Sequence, residues 1–142
     1  MNIYKGVEYM CNTKGCNCIE DILKTILILQ KNQSKSSECL ETCDKLTLGP
    51  TPVSCELNTR PFMLKLCDNN FLRMPISKDP EETIQSKVFR VEKVDDCCAT
   101  CRVLKLTDDT VIPFEKTESF FTVNLKCCCV IKCLDDTFVD CI

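Results

Sequence analysis

Cysteine occupies fifteen of the 142 positions and histidine none. Thiols are therefore the chemically active groups present in number, and the missing imidazole limits what they can do. A Cys–His nucleophile in its usual form needs a histidine base, so that class of catalysis is excluded. The cysteine fraction exceeds the level that marks a disulfide scaffold in a short secreted chain. An odd count leaves at least one thiol without a partner in a monomer. Metal binding, redox chemistry, packing and covalent linkage between chains are the uses to weigh.

The thiols fall into clusters. Cys11, Cys16 and Cys18 lie near the N-terminus, and Cys39 and Cys43 are four apart, on one face if helical. Cys55 and Cys67 stand alone. Cys97, Cys98 and Cys101 open a β-rich run, and Cys127, Cys128, Cys129 and Cys133 are followed closely by Cys141. A tetrahedral zinc site usually takes two short-spaced pairs on tight knuckles. This chain has one Cys-x-x-Cys, Cys98-Ala-Thr-Cys101, without the Gly or Pro a knuckle often uses. A redox Cys-x-x-Cys needs its first thiol at a helix N-terminus, where the dipole lowers the pKa. Here Arg-Val-Leu-Lys-Leu follows, a sequence that prefers strand. Free cysteine also packs as a small hydrophobe, which suits some of these positions.

The elements that must hold these thiols divide the chain into four parts. Residues 1–17 read as a mobile cysteine-bearing arm. Residues 18–33 read as an amphipathic helix, with Ile19, Ile22, Leu23, Ile26, Leu27 and Gln30 at three- and four-residue spacings. Ile28 and Leu29 widen its apolar stripe, so the helix should face both a core and a second surface. Residues 34–59 read as linker and loop, with a short helical turn over 39–46 and two prolines, Pro50 and Pro52. Residues 60–142 read as a β-rich self-assembly domain. There Phe62–Cys67 and Phe71–Met74 flank the turn Asp68-Asn69-Asn70, and Lys87–Val94 and Cys98–Leu106 meet at Asp95-Asp96. Thr107–Glu118 reads as a connecting loop around Pro113.

Alternation is strongest from Phe121 through Val123, Leu125, Cys127, Cys129 and Ile131 to Cys133. Period two predicts one long strand, or two collinear strands with a bend. That phase buries Cys127, Cys129 and Cys133 and turns Cys128 outward. The expected fold is mainly β: a single antiparallel β-sheet or sandwich domain with an N-terminal helix and the mobile arm. Core or intrachain roles are expected for Cys97, Cys98, Cys101, Cys127, Cys129 and Cys133. Links between subunits are expected from Cys11, Cys16, Cys18 and Cys128.

Composition excludes further classes. Net charge is −3 with no basic stripe, which argues against nucleic acid. The longest apolar run, Ile26–Leu29, is far too short for a membrane span. Three glycines leave no phosphate-binding loop. The N-terminal stretch has no apolar segment of signal-peptide length, so the thiols should be made in a reducing compartment and oxidised later.

Three stretches resemble a known family. FRVEKVDDCCATCRVLKL (89–106), VNLKCCCVIKCLDDTFVD (123–140) and CNCIEDILKTILILQ (16–30) are similar to segments of spore coat proteins Y and Z and of exosporium protein Y from Bacillus-type spore formers. The family motif falls here on Cys18, Cys97, Cys98, Cys127, Cys129 and Cys133, with Cys101 and Cys128 as additions. The resemblance implies a non-enzymatic building block of the spore outer layer (outer coat, crust or exosporium). It implies self-assembly into a two-dimensional lattice, ring-based and locked by disulfides, with itself and other coat or exosporium proteins as partners and no cofactor. It also implies synthesis in the mother-cell cytoplasm without a signal peptide. A cytosolic zinc-thiolate binding or adaptor protein is the alternative from the residues alone.

Overall fold

The computed structural model describes residues 18–33 and 57–142. Cys11, Cys16, the arm, and the turn expected over 39–46 lie outside them, as do Cys39, Cys43 and Cys55.

The expected helix is present as α1 (Cys18–Gln33), with Glu20 and Asp21 in its first turn. Carboxylates there complement the positive end of the helix dipole. Ile19, Leu23 and Ile26 are buried and Leu27 is half-buried. Ile22, Ile28 and Leu29 are exposed. Glu20 pairs with Lys24 one turn later at 2.7 Å. Gln30, also buried, pins the far end: its Nε2 donates to the Val91 carbonyl oxygen at 2.9 Å, and its Oε1 accepts from the Arg60 amide at 3.2 Å.

Among the described residues seven strands follow: β1 (Phe62–Leu66), β2 (Met74–Pro75), β3 (Gln85–Ser86), β4 (Phe89–Asp95), β5 (Cys98–Leu106), β6 (Phe114–Asn124) and β7 (Cys128–Cys133). Five form one antiparallel sheet in the order β6-β5-β4-β1-β7, and β2 pairs with β3. The fold is thus mainly β, with one helix among the described residues, as expected.

Strand β1 meets β4 at one register position only, Phe62 opposite Phe89. From there the two strands run in opposite directions. Yet β6 and β7, at the two edges, are joined by three residues, Leu125–Cys127. The four Cα steps from Asn124 to Cys128 reach at most about 14 Å. The sheet must therefore fold about the Phe62–Phe89 crease, bringing the β1–β7 limb over the β4–β5–β6 limb. Between the limbs lies the main core: Phe62, Leu64, Phe89, Val91, Ala99, Cys101, Val103, Leu125 and Cys128, with Ile19, Leu23 and Ile26 of α1. Phe89 packs edge-on against both Phe62 and Phe121.

Two turns take the form their sequence suggests. β4 and β5 are joined through Asp96 and Cys97, with Asp96 at φ 53°, a conformation Asp tolerates better than most residues. After β1, Asn69 takes φ 68°, and Leu66 N donates to the Asn70 carbonyl oxygen at 2.9 Å. The return limb of this second turn is shorter than expected. It makes a single bridge, Lys65 to Phe71, while Met74–Pro75 pairs with Gln85–Ser86. Residues 114–118, expected as loop, belong to β6, where Leu106 pairs with Phe114 and Lys105 with Glu115.

The C-terminal tail is built in. Asn58 Nδ2 donates to the Val139 carbonyl oxygen and Asn58 Oδ1 accepts from the Val139 amide, each at 2.9 Å. One buried side chain thereby imitates a strand partner and holds Val139 fully buried against Leu104 and Phe114.

Candidate functional site

The site is the end of the domain opposite the crease, where the two limbs rejoin. Its centre is the 3-10 turn Leu125–Cys127. Asn124 caps it, its Oδ1 accepting from the Lys126 amide at 3.0 Å. The Leu125 side chain is fully buried, and its amide donates to the Cys97 carbonyl oxygen at 2.7 Å. On the other limb, the Cys67 amide donates to the Cys127 carbonyl oxygen at 3.1 Å. The turn is thus tied to the β4–β5 hairpin on one side and to the end of β1 on the other.

This turn corrects the expected burial of the thiols. It places two residues, Lys126 and Cys127, between the inward positions Leu125 and Cys128, where strict alternation would leave one. A bulge follows, because Lys65 pairs with Val130 while Leu66 pairs with Cys128, leaving Cys129 as the extra residue. The turn shifts the inward phase onto Cys128, and the bulge shifts it back so that Ile131 again packs against the core. Cys128, expected outward, is buried, and Cys127, Cys129 and Cys133, expected in the core, are exposed. The stretch is also not collinear, since β6 and β7 lie at opposite edges of the sheet order.

Two thiols are sealed in the core. Cys101 and Cys128 share one apolar cluster. Burial pushes the Cys128 thiol up to about 11, with Cys127 adding to the rise. Burial, then Cys128, then Glu92 push Cys101 higher still. Thiols held this far above neutrality carry little thiolate and are poor nucleophiles.

The other described thiols are accessible. Cys98 opens β5 opposite Asp95 and Asn124, and is exposed, while Cys97 in the hairpin turn is half-buried. Cys127 is exposed and free. Cys67 and Cys129, also exposed, are joined in a disulfide across β1 and β7 with Cα atoms 5.2 Å apart. Cys67 is the residue that sequence reasoning left without a partner. No local sequence signal marks the partner, because the Cys127–Cys129 run comes opposite Cys67 only through the pairing of β1 with β7. Helix α1 runs from Lys24, which feels the Asp96 carboxylate, to Gln30 at Val91. That direction puts its N-terminus, with exposed Cys18, at this same end.

Two more exposed thiols lie away from this end. Cys133 is opposite Phe62 at the crease. Partial burial raises its pKa; Arg60 opposes the rise and Asp136 adds to it. Arg60 grips Asp136 with two bonds, 2.6 Å to Oδ1 and 2.9 Å to Oδ2. Cys141 sits in the tail, its pKa raised first by its bond to the Asp140 carboxylate at 3.5 Å.

Among the described residues, no group of three or more Cys, Asp or Glu side chains is arranged to hold a metal ion. No described helix is long and apolar enough to cross a membrane.

These features define a small β domain that seals two thiols inside and presents others on its surface at both ends. The chain belongs to the spore coat protein Z family, whose model matches residues 8–112. No curated protein and no solved structure matches it. Family membership supports a structural role in the spore coat, at the spore surface.

Proposed function

We propose that this chain is a building block of the spore outer layer (outer coat, crust or exosporium). It self-assembles with copies of itself, and with other coat or exosporium proteins, into an ordered two-dimensional lattice that disulfides then lock. The observation that carries this reading is the placement of the exposed free thiols. Cys18, Cys98 and Cys127 occupy one end of the domain, and Cys133 sits at the crease with Cys141 in the tail. A unit with reactive groups at one position only closes into pairs. A unit with them at separated positions can be linked to several neighbours.

Non-covalent contacts set the order, because random oxidation of so many thiols gives tangles. Synthesis in a reducing mother-cell cytoplasm keeps the thiols free until the spore meets oxidant. Electron microscopy of the protein purified with reductant, before and after oxidation, tests the reading. Sheets or rings that form under reducing conditions and resist denaturant only after oxidation are expected. A monodisperse monomer under both conditions would sink it.

A further inference from the structure

We propose that Cys67 is shared between two thiols, Cys129 and Cys127, and that the disulfide at this edge moves between them by exchange. The bridge observed is Cys67–Cys129. The residue directly across from Cys67, however, is Cys127. The Leu66–Cys128 pairing continues into it, and the Cys67 amide bonds the Cys127 carbonyl oxygen at 3.1 Å. The Cys67 sulfur itself lies 4.0 Å from the carbonyl oxygen of Lys126, the residue that precedes Cys127. Directly opposed, hydrogen-bonded residues of an antiparallel pair have Cα atoms about 5.5 Å apart. That falls inside the roughly 4.4–6.8 Å a disulfide accepts. Both candidate partners thus fall in the Cα range for a bridge to Cys67, and the bulge at Cys129 is what brings the second one alongside.

The exchange is redox-neutral. The Cys127 thiolate, after losing its proton to solvent, attacks the Cys67 sulfur. A Cys67–Cys127 bond forms, the Cys67–Cys129 bond breaks, and its electron pair leaves on Cys129, which takes a proton from water. No oxidant or reductant is consumed. All three residues are exposed, so solvent reaches each sulfur. Cys128, between them, is turned into the core and takes no part. The edge strand therefore always keeps one bridged and one free outward thiol, and the free one can sit at either of two positions two residues apart. That is a property of the single chain and holds whether or not the chain assembles.

The test uses the full chain, oxidised, quenched in acid, alkylated with N-ethylmaleimide and digested with trypsin without reduction. Residues 66–73 and 127–132 then form separate peptides. Cys129→Ser should still yield these two peptides joined, now through Cys127. Cys127→Ser should keep the original bridge, and the double substitution should leave Cys67 alkylated. Alkylated Cys67 in a Cys129→Ser chain with wild-type circular dichroism overturns the proposal. If that variant fails to fold, the unaltered chain decides. Fragmentation of the joined peptides should then find Cys67 linked to Cys127 in some molecules and to Cys129 in others. Linkage to Cys129 alone, at every time after oxidation, overturns it.

Discussion

The Leu125 amide reaches the Cys97 carbonyl oxygen across 2.7 Å, tying the turn between the sheet's two edge strands to the β4–β5 hairpin. Beneath that bond the Leu125 side chain fills the core where the limbs meet. Leu125→Ala keeps the bond but leaves a cavity, and should cost about 2–5 kcal/mol. Denaturant unfolding under reducing conditions measures it. The same cavity loosens the packing over Cys128, so alkylation of Cys128 should accelerate in this variant. An unchanged midpoint would mean the turn does not anchor the closure.

Thiol reactivity should divide by burial. At pH 8 a thiol raised to about 11 carries roughly a hundredfold less thiolate than one titrating near 9. In the native, reduced chain, Cys101 and Cys128 should resist iodoacetamide while Cys98, Cys127 and Cys133 react. The sign of the pH effect follows. The Cys128 thiol is held protonated by the fold, so its contribution to stability is intact below pH 9. It is lost as pH rises from about 9 toward 11. Quantitative mass spectrometry of a labelling time course checks the division, and equal rates at Cys128 and Cys98 would contradict it.

Local patterns in the sequence carry the helix and the β4–β5 hairpin, because both are specified by neighbours. Ile19, Leu23 and Ile26 mark one face, and Asp96 supplies the left-handed turn residue. The thiol phase after Leu125 was not legible in the same way. Cysteine suits either side of a strand, so the alternation from Phe121 to Cys133 looks unbroken. The break is written in Asn124, whose side chain caps a 3-10 turn, and in a bulge that only the pairing with β1 reveals. The crease is a long-range property, set by how β1 and β4 diverge, and no local period encodes it. The Cys67–Cys129 bridge spans 62 residues and is equally non-local.

Acid should act through Arg60 and Asp136. The guanidinium, bonded to both carboxylate oxygens, holds Asp136 below the usual carboxylate range, and partial burial opposes this more weakly. A depressed folded pKa means the pair stabilises above the unfolded value, near 4, and that this contribution is lost as pH falls through the folded one. Asp136→Asn should lower stability at pH 7 and flatten its decline below pH 4. Urea midpoints from pH 2.5 to 7 supply the comparison, and parallel curves for the two chains would rule the pair out as a contributor.

Removing the bridge at Cys67 separates its intrachain role from the cross-links proposed between chains. Cys129 is exposed and bonded to Cys67, so replacing it with Ser does not put a hydroxyl into a packed face. Cys67→Ser removes the bridge whichever partner it uses, and should cost the oxidised chain about 2–4 kcal/mol. It leaves Cys18, Cys98, Cys127, Cys133 and Cys141 available for links to neighbours. Replacing Cys11, Cys16 and Cys18 with Ser should do the reverse, leaving the fold intact and weakening the oxidised assembly. Denaturation of the dispersed chain and non-reducing electrophoresis of the assembly read the two effects separately. If the triple Ser chain cross-links as fully as wild type, the links between chains do not depend on these three thiols. If Cys67→Ser abolishes cross-linking while the chain stays folded, the bridge sulfurs themselves carry the links.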